Sequence, residues 1–161
     1  MVERFEEGKW YRCLKDITSA GWISDTYYVQ TSFWQGYIYQ CRSGCLYSVL
    51  GSNCPTEQLD NKFFEPFDFE LEDCLKGIIE RKKKCDIIDD ITITPYSTIP
   101  SSGKMLYLCT IYLRKYIGNA CTISAYGVTP KEAYENTMKK FKFRAIVNDK
   151  LYLSFRRELY Y

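Results

Sequence analysis

The chain reads as an α+β protein: a small antiparallel β module over residues 1–68, then an α-β-β-β-α module over 69–161. Three observations predict this. Short apolar strand patterns separated by turn residues fill the first part. Two helical patterns with three strand patterns between them fill the second. The charge changes sign between the parts, with 6 Lys+Arg against 10 Asp+Glu in residues 1–70 and 16 against 10 in residues 71–161.

In the first module, residues 9–16 mix apolar and polar positions like a strand. Tyr27-Tyr28-Val29 is the next apolar group, and Gly36 to Arg42 is a further strand pattern. Ser43-Gly44 is a turn leading into Cys45–Leu50, and Gly51-Ser52-Asn53-Cys54-Pro55 has loop chemistry. Phe63-Phe64-Glu65-Pro66-Phe67 closes the module. Short strands at this spacing predict a small, partly closed barrel.

The second module opens with Leu71, Cys74, Leu75, Ile78 and Ile79, which fall on one helical face. Glu70, Glu72 and Asp73 stand at its start and Arg81-Lys82-Lys83-Lys84 at its end, both complementing the helix dipole. Strands are expected over 87–94, 104–113 and 120–126, with Pro100-Ser101-Ser102-Gly103 as a turn between the first two. Thr129-Pro130-Lys131-Glu132 is a capping box with Pro at the first helical position. Pro130, Ala133, Tyr134, Thr137, Met138 and Phe141 form the less polar face of the helix it starts, and Lys139, Lys140, Lys142 and Arg144 crowd its end. Leu151–Phe155 could add one more strand.

Composition bounds the chemistry. Histidine is absent, which excludes His general bases, Cys-His dyads, Ser-His-Asp triads and mixed Cys/His zinc sites. Asp86, Asp89 and Asp90 form the best carboxylate cluster, but no Glu-x-Lys follows them as a metal-dependent nuclease would need; Glu7-x-Lys9 lies upstream. No phosphate-binding glycine loop is present. The chain therefore reads as non-enzymatic, with no cofactor. The eight cysteines read as mostly reduced and buried. Cys13, Cys41, Cys45 and Cys54 are the one set whose spacing admits zinc, although paired CxxC knuckles are missing. The acidic opening Met1-Val2-Glu3-Arg4-Phe5-Glu6-Glu7 lacks the apolar core of an export signal, and no apolar run is long enough to span a bilayer. A cytoplasmic protein without a membrane partner is expected.

Two resemblances add to this. Gly8-Lys9-x-Tyr11-Arg12-Cys13-Leu14-Lys15-Asp16, with Gly36-Tyr37-x-Tyr39-x-Cys41 and Phe63-Phe64-Glu65, resembles a small SH3-like module of uncharacterised phage proteins. The resemblance implies a phage or mobile-element origin, hence a host cytoplasm, and no activity. The helix–three strands–helix order over 70–144 resembles the double-stranded-RNA-binding domain in topology. That family grips phosphates with lysines at the start of its last helix. Lys131 and Ala133 match its motif, while Pro130 and Tyr134 stand where it has lysines.

The functional expectation is an accessory protein that binds and inhibits or redirects a host protein or nucleoprotein complex. Its 15 tyrosines suit such recognition. The alternative is direct RNA or DNA binding through the basic half. For both, the candidate contact residues are Arg81, Lys82, Lys83, Lys84, Lys104, Lys131, Lys139, Lys140, Lys142 and Arg144. The oligomeric state is not fixed by the sequence.

Overall fold

The computed structural model describes residues 4–24, 27–48, 53–55, 59–84, 87–99, 101–117 and 120–147; for 19–24, 27–31, 53–55, 115–117, 120 and 144–147 it describes the backbone alone. The fold is α+β with antiparallel sheets. The chain forms two compact units. One runs to Phe69 and includes Pro95–Met105; the other holds Glu70–Thr94 and the residues from Leu106 onward. The first division of the chain falls between Phe69 and Glu70, and the segment 95–105 groups with the first unit as well.

The first unit contains β1 (Trp10–Cys13), β2 (Ile17–Ser24), β3 (Tyr27–Phe33), β4 (Ile38–Arg42), β5 (Cys45–Tyr47), β6 (Asn53–Pro55) and β7 (Phe64–Phe67). Five of them form a sheet in the order β6-β5-β4-β1-β7, and β2 and β3 form a separate hairpin. Strand alternation puts Tyr11 and Cys13 of β1 inward beside Tyr39 and Cys41 of β4. With Phe33, Leu46, Leu59 and Phe64 they make the core. Its rings meet edge to face: Phe33 to Tyr39 at 4.8 Å, Phe5 to Tyr11 at 5.0 Å and Phe33 to Phe64 at 5.8 Å. Such contacts add to the area buried. Each buried phenol also has a partner, since Tyr11 accepts a hydrogen bond from the Glu6 amide (2.7 Å) and Tyr39 one from the Trp34 amide (3.0 Å). The Ser43-Gly44 turn joins β4 to β5 as expected, with Arg42 opposite Cys45.

The β2 strand was not legible beforehand. Ile17-Thr18-Ser19-Ala20-Gly21-Trp22-Ile23-Ser24 has small and polar residues but no clean alternation, and its pairing with β3 supplies the order that its own pattern lacks.

The second unit follows the order α1 (Asp73–Lys83), β8 (Ile88–Thr98), β9 (Met105–Ile117), β10 (Ala120–Gly127) and α2 (Pro130–Val147), with the sheet ordered β10-β9-β8. The tip of the β8–β9 hairpin, 95–105, is the segment counted with the first unit. One sheet face is aliphatic: Ile91 and Ile93, Cys109 and Ile111, and Ile123 pack in one core with Leu75 and Ile79 of α1 and with Ala133, Tyr134, Met138 and Phe141 of α2. Cys74, expected on the apolar face of α1, is exposed, and Leu71 packs on the core from ahead of the helix. Helix phase accounts for this: Cys74 is turned about 120° from the line midway between buried Leu75 and Ile79, at the rim of the apolar stripe. Cys121 is also exposed, Cys45 is half-buried, and Cys13, Cys41 and Cys109 are buried; Cys85 and residues 148–161, with the possible strand at 151–155, lie outside the described residues.

The capping box starts α2 as expected: Thr129 Oγ1 accepts from the Glu132 amide at 3.0 Å. Gly127 makes this junction possible. A Cβ there would collide with the Ala133 amide nitrogen and lie 2.7 Å from the Glu132 carbonyl carbon. Glycine lets the end of β10 lie directly against the first turn of α2.

Candidate functional site

The ten candidate contact residues are distributed over both units. Arg81 is exposed in the last turn of α1. Lys82 is half-buried and has interactions of its own. Lys83 reaches Asp90 of β8 at 2.9 Å and Glu80 at 3.6 Å. The hydrogen bond to Asp90 holds its ammonium above the usual lysine pKa. Lys84 is exposed at the C-cap of α1. Lys104 is exposed but belongs to the first unit.

On α2, successive residues turn by about 100°, so a run of lysines in sequence fans out in space. Lys139 faces outward and Lys131 is exposed on the flank that also carries half-buried Lys142. Lys140 lies on the opposite flank, where its ammonium donates to the Ser124 carbonyl of β10 at 3.0 Å. Arg144 is on the helix, but its side chain lies outside the described residues. Phe143, among these lysines, is 68 % exposed.

The carboxylates are engaged as structural partners. Asp90 Oδ1 accepts from the Ile91 amide at 2.8 Å and from Lys83, and Asp89 lies 3.7 Å from the Arg114 guanidinium; Asp86 lies outside the described residues. The zinc-spaced cysteines are separated by strand register. The Cys41 and Lys9 backbones pair, whereas Cys13 pairs with Tyr37, four residues further along β4's approach, or about 13 Å. Cys41 is opposite Leu46 in the core, while Cys45 is on the next row, beside exposed Arg42, and so on the other face. Cys54 is opposite Leu46 by backbone register. A zinc ion needs all its thiolates within about 2.3 Å, and this register does not converge them. Burial raises the Cys13 and Cys41 thiols above the ordinary range, which disfavours the thiolate.

A different feature emerges in the first unit, and it was missed in the sequence. Trp34 is 54 % exposed on a four-residue turn, Trp34-Gln35-Gly36-Tyr37, closed by the Tyr37 amide on the Trp34 carbonyl at 3.1 Å. Gly36, at φ 85°, takes the position of such a turn that needs a left-handed conformation. The turn is fixed from several sides. The Trp34 amide donates to the buried Tyr39 hydroxyl, Gln35 to Asp16 Oδ1 (2.7 Å), Gly36 to the Cys13 carbonyl (2.8 Å), and the Gly36 carbonyl accepts from Thr98 (2.8 Å). On the neighbouring segment Leu14 is 40 % exposed, and its amide donates to the Phe63 carbonyl. Lys15 and Lys62 both place their ammonium groups 5.1 Å from the centre of the Phe63 ring. The signal that could have revealed this site is Phe33-Trp34 two residues ahead of a turn glycine. There the first ring goes inward and the second has nowhere to go but out.

Among the described residues, no group of three or more Cys, Asp or Glu is placed to hold a metal ion, and no helix is long and apolar enough to cross a membrane. Compared with known proteins, the chain matches no family model, no curated protein and no solved structure.

Proposed function

We propose that this chain is a non-enzymatic accessory protein, of the kind phages carry, that binds a host protein or nucleoprotein complex and inhibits or redirects it. The observation that carries the binding part is Trp34, a large side chain held outward by a hydrogen-bonded turn. Exposing that much apolar area has a cost, and a rigid turn lowers the entropy lost when the ring docks; tryptophan is the residue most enriched at such anchor points. The phage origin and host cytoplasm rest on the resemblance of the first 70 residues to phage SH3-like modules.

A second reading, direct RNA or DNA binding, is favoured by exposed Phe143 beside Lys139. An aromatic face among cations suits an unpaired base and its phosphate.

One experiment separates them. Tagged protein is used to recover partners from host lysate with and without nuclease, for the natural chain, for Trp34→Ala and for a Lys131→Glu/Lys139→Glu variant. The first reading predicts a stoichiometric protein that survives nuclease and is lost at least tenfold with Trp34→Ala. Recovery of nuclease-sensitive material alone, lost with the charge reversals, overturns it and supports the second.

A further inference from the structure

Part of what holds the Trp34 turn comes from a distant stretch of sequence, the tip of the β8–β9 hairpin, which belongs to the same compact unit. Gly36 and Tyr37 use their backbone groups in two directions. Toward β1, the Gly36 amide donates to the Cys13 carbonyl (2.8 Å) and the Tyr37 carbonyl accepts from the Cys13 amide (3.0 Å). Toward the hairpin tip, the Gly36 carbonyl accepts from the Thr98 amide (2.8 Å), and Tyr37 and Ser97 form an antiparallel bridge. The Tyr37 and Tyr96 rings meet edge to face at 5.4 Å, and Ser97 is buried. Residues 36–37 are thus the middle rung of a short ladder, with the end of β1 on one side and the end of β8 on the other.

The tip is itself closed. The Ile99 amide donates to the Lys104 carbonyl (2.7 Å), and the Ile99 carbonyl accepts from the Gly103 amide (2.8 Å), with Gly103 at φ 68°. Glycine takes that left-handed conformation without strain. The closure holds Ser97 and Thr98, the last residues before it, extended within β8. A turn that lost this second support would sample more conformers. Docking of the Trp34 ring would then lose more conformational entropy.

We propose that Ser97 and Thr98 are positioning residues for Trp34: the hairpin tip clamps the turn from a second side, and binding through Trp34 depends on that clamp. The proposal rests on the reading of Trp34 as the anchor. It makes the binding site a product of both halves of the sequence, since the ring comes from residue 34 and its support from residues 97 and 98.

The test uses the full chain and combines native-state hydrogen exchange by NMR with retention of the lysate protein recovered as above. Thr98→Pro removes the donor to Gly36, and Thr98→Val keeps it. The Tyr37 amide, which closes the turn on the Trp34 carbonyl, reports the turn; the Cys41 amide, which donates to the Lys9 carbonyl, reports the sheet. Thr98→Pro is expected to speed exchange at Tyr37 about fivefold, the effect of losing one backbone hydrogen bond. It should leave Cys41 unchanged and weaken retention by a similar factor. Thr98→Val should match the natural chain in all three. Unchanged exchange at Tyr37 overturns the proposal, and so does equal acceleration at Tyr37 and Cys41, which is general loosening. If Thr98→Pro does not fold, Tyr96→Ala, which removes the ring against Tyr37, is read in the same way. Failure of the anchor reading shows separately, as full retention by Trp34→Ala; the clamp is then decided by exchange at Tyr37 alone. Where Trp34→Ala does lose the partner, full retention by Thr98→Pro overturns the proposal even if exchange is faster.

Discussion

The two units solve the problem of a small core in different ways. The first packs rings against rings, and its phenols are tied to backbone amides: Tyr11 to Glu6 and Tyr39 to Trp34. The second packs isoleucines from a sheet under two helices, and Thr137, a fully buried polar side chain, donates within its own helix to the Ala133 carbonyl at 2.7 Å. An aliphatic core is indifferent to direction, so the surface of the second unit is set by helix phase, which scatters its lysines. An aromatic core with hydroxyl tips reaches the surface through hydrogen bonds. In the first unit the ring that fills the interior, Tyr39, also fixes the turn that presents Trp34.

The comparison can be broken first at the close approach in the second unit. Gly127→Ala puts a methyl group into the backbone of α2's first turn, where no rotamer change relieves it. A loss on the order of 3–4 kcal/mol is expected in chemical denaturation. A loss below about 1 kcal/mol would mean that the strand–helix junction is looser than the aliphatic core implies.

Alkaline titration comes next, and it tests both cores at once. Burial pushes Tyr39 in the first unit and Tyr134 in the second up to about 12, and Cys109 up to about 11. All three hold their proton more tightly folded than unfolded. Their contribution is therefore complete below the unfolded values of about 9 for the thiol and 10 for the phenols, and is lost as pH rises through the folded values. The loss for each phenol is about 3 kcal/mol. Lys83, raised by its hydrogen bond to Asp90, adds a smaller loss of the same sign above 10.5. Circular dichroism of urea midpoints from pH 8 to 12 should fall steadily above pH 9. A flat profile would show that the buried phenols are reached by water.

The smallest expected effect sharpens the link between core and surface. Tyr39→Phe keeps the ring and removes the acceptor of the Trp34 amide, at a cost of about 1–2 kcal/mol. Partner retention should weaken with it although Tyr39 is 1 % exposed. Loss of stability with full retention would separate the core from the presentation of Trp34.

Much of the second unit was legible in advance. The Ile, Leu and Ala spacing of both helices, the Thr129 cap and the order α-β-β-β-α all stand where local pattern placed them, because burial of one face and capping of one terminus are properties of neighbours in sequence. Cys74 departed because helix phase puts it at the rim of the stripe centred on Leu75 and Ile79. The site was less legible. Lys83 and Lys140 look like any surface cation in sequence, yet each has a structural partner brought from a different element, Asp90 on β8 and Ser124 on β10. The four zinc-spaced cysteines look like a cluster until strand register assigns Cys41 inward and Cys45 outward.

By itself, the sequence determined the α+β class, the alternation of helix and strand after residue 70, the lack of any histidine chemistry and the sign of charge in each half. These depend on composition and on contacts within a turn or two of chain. Only the tertiary structure decided which cations are engaged, which cysteines share a face, that residues 95–105 join the first unit, and that Trp34 points outward from a pinned turn. Those outcomes depend on which carbonyl or ring arrives from a distant strand, and hydrogen-bond partners far apart in sequence leave no periodic signal along the chain.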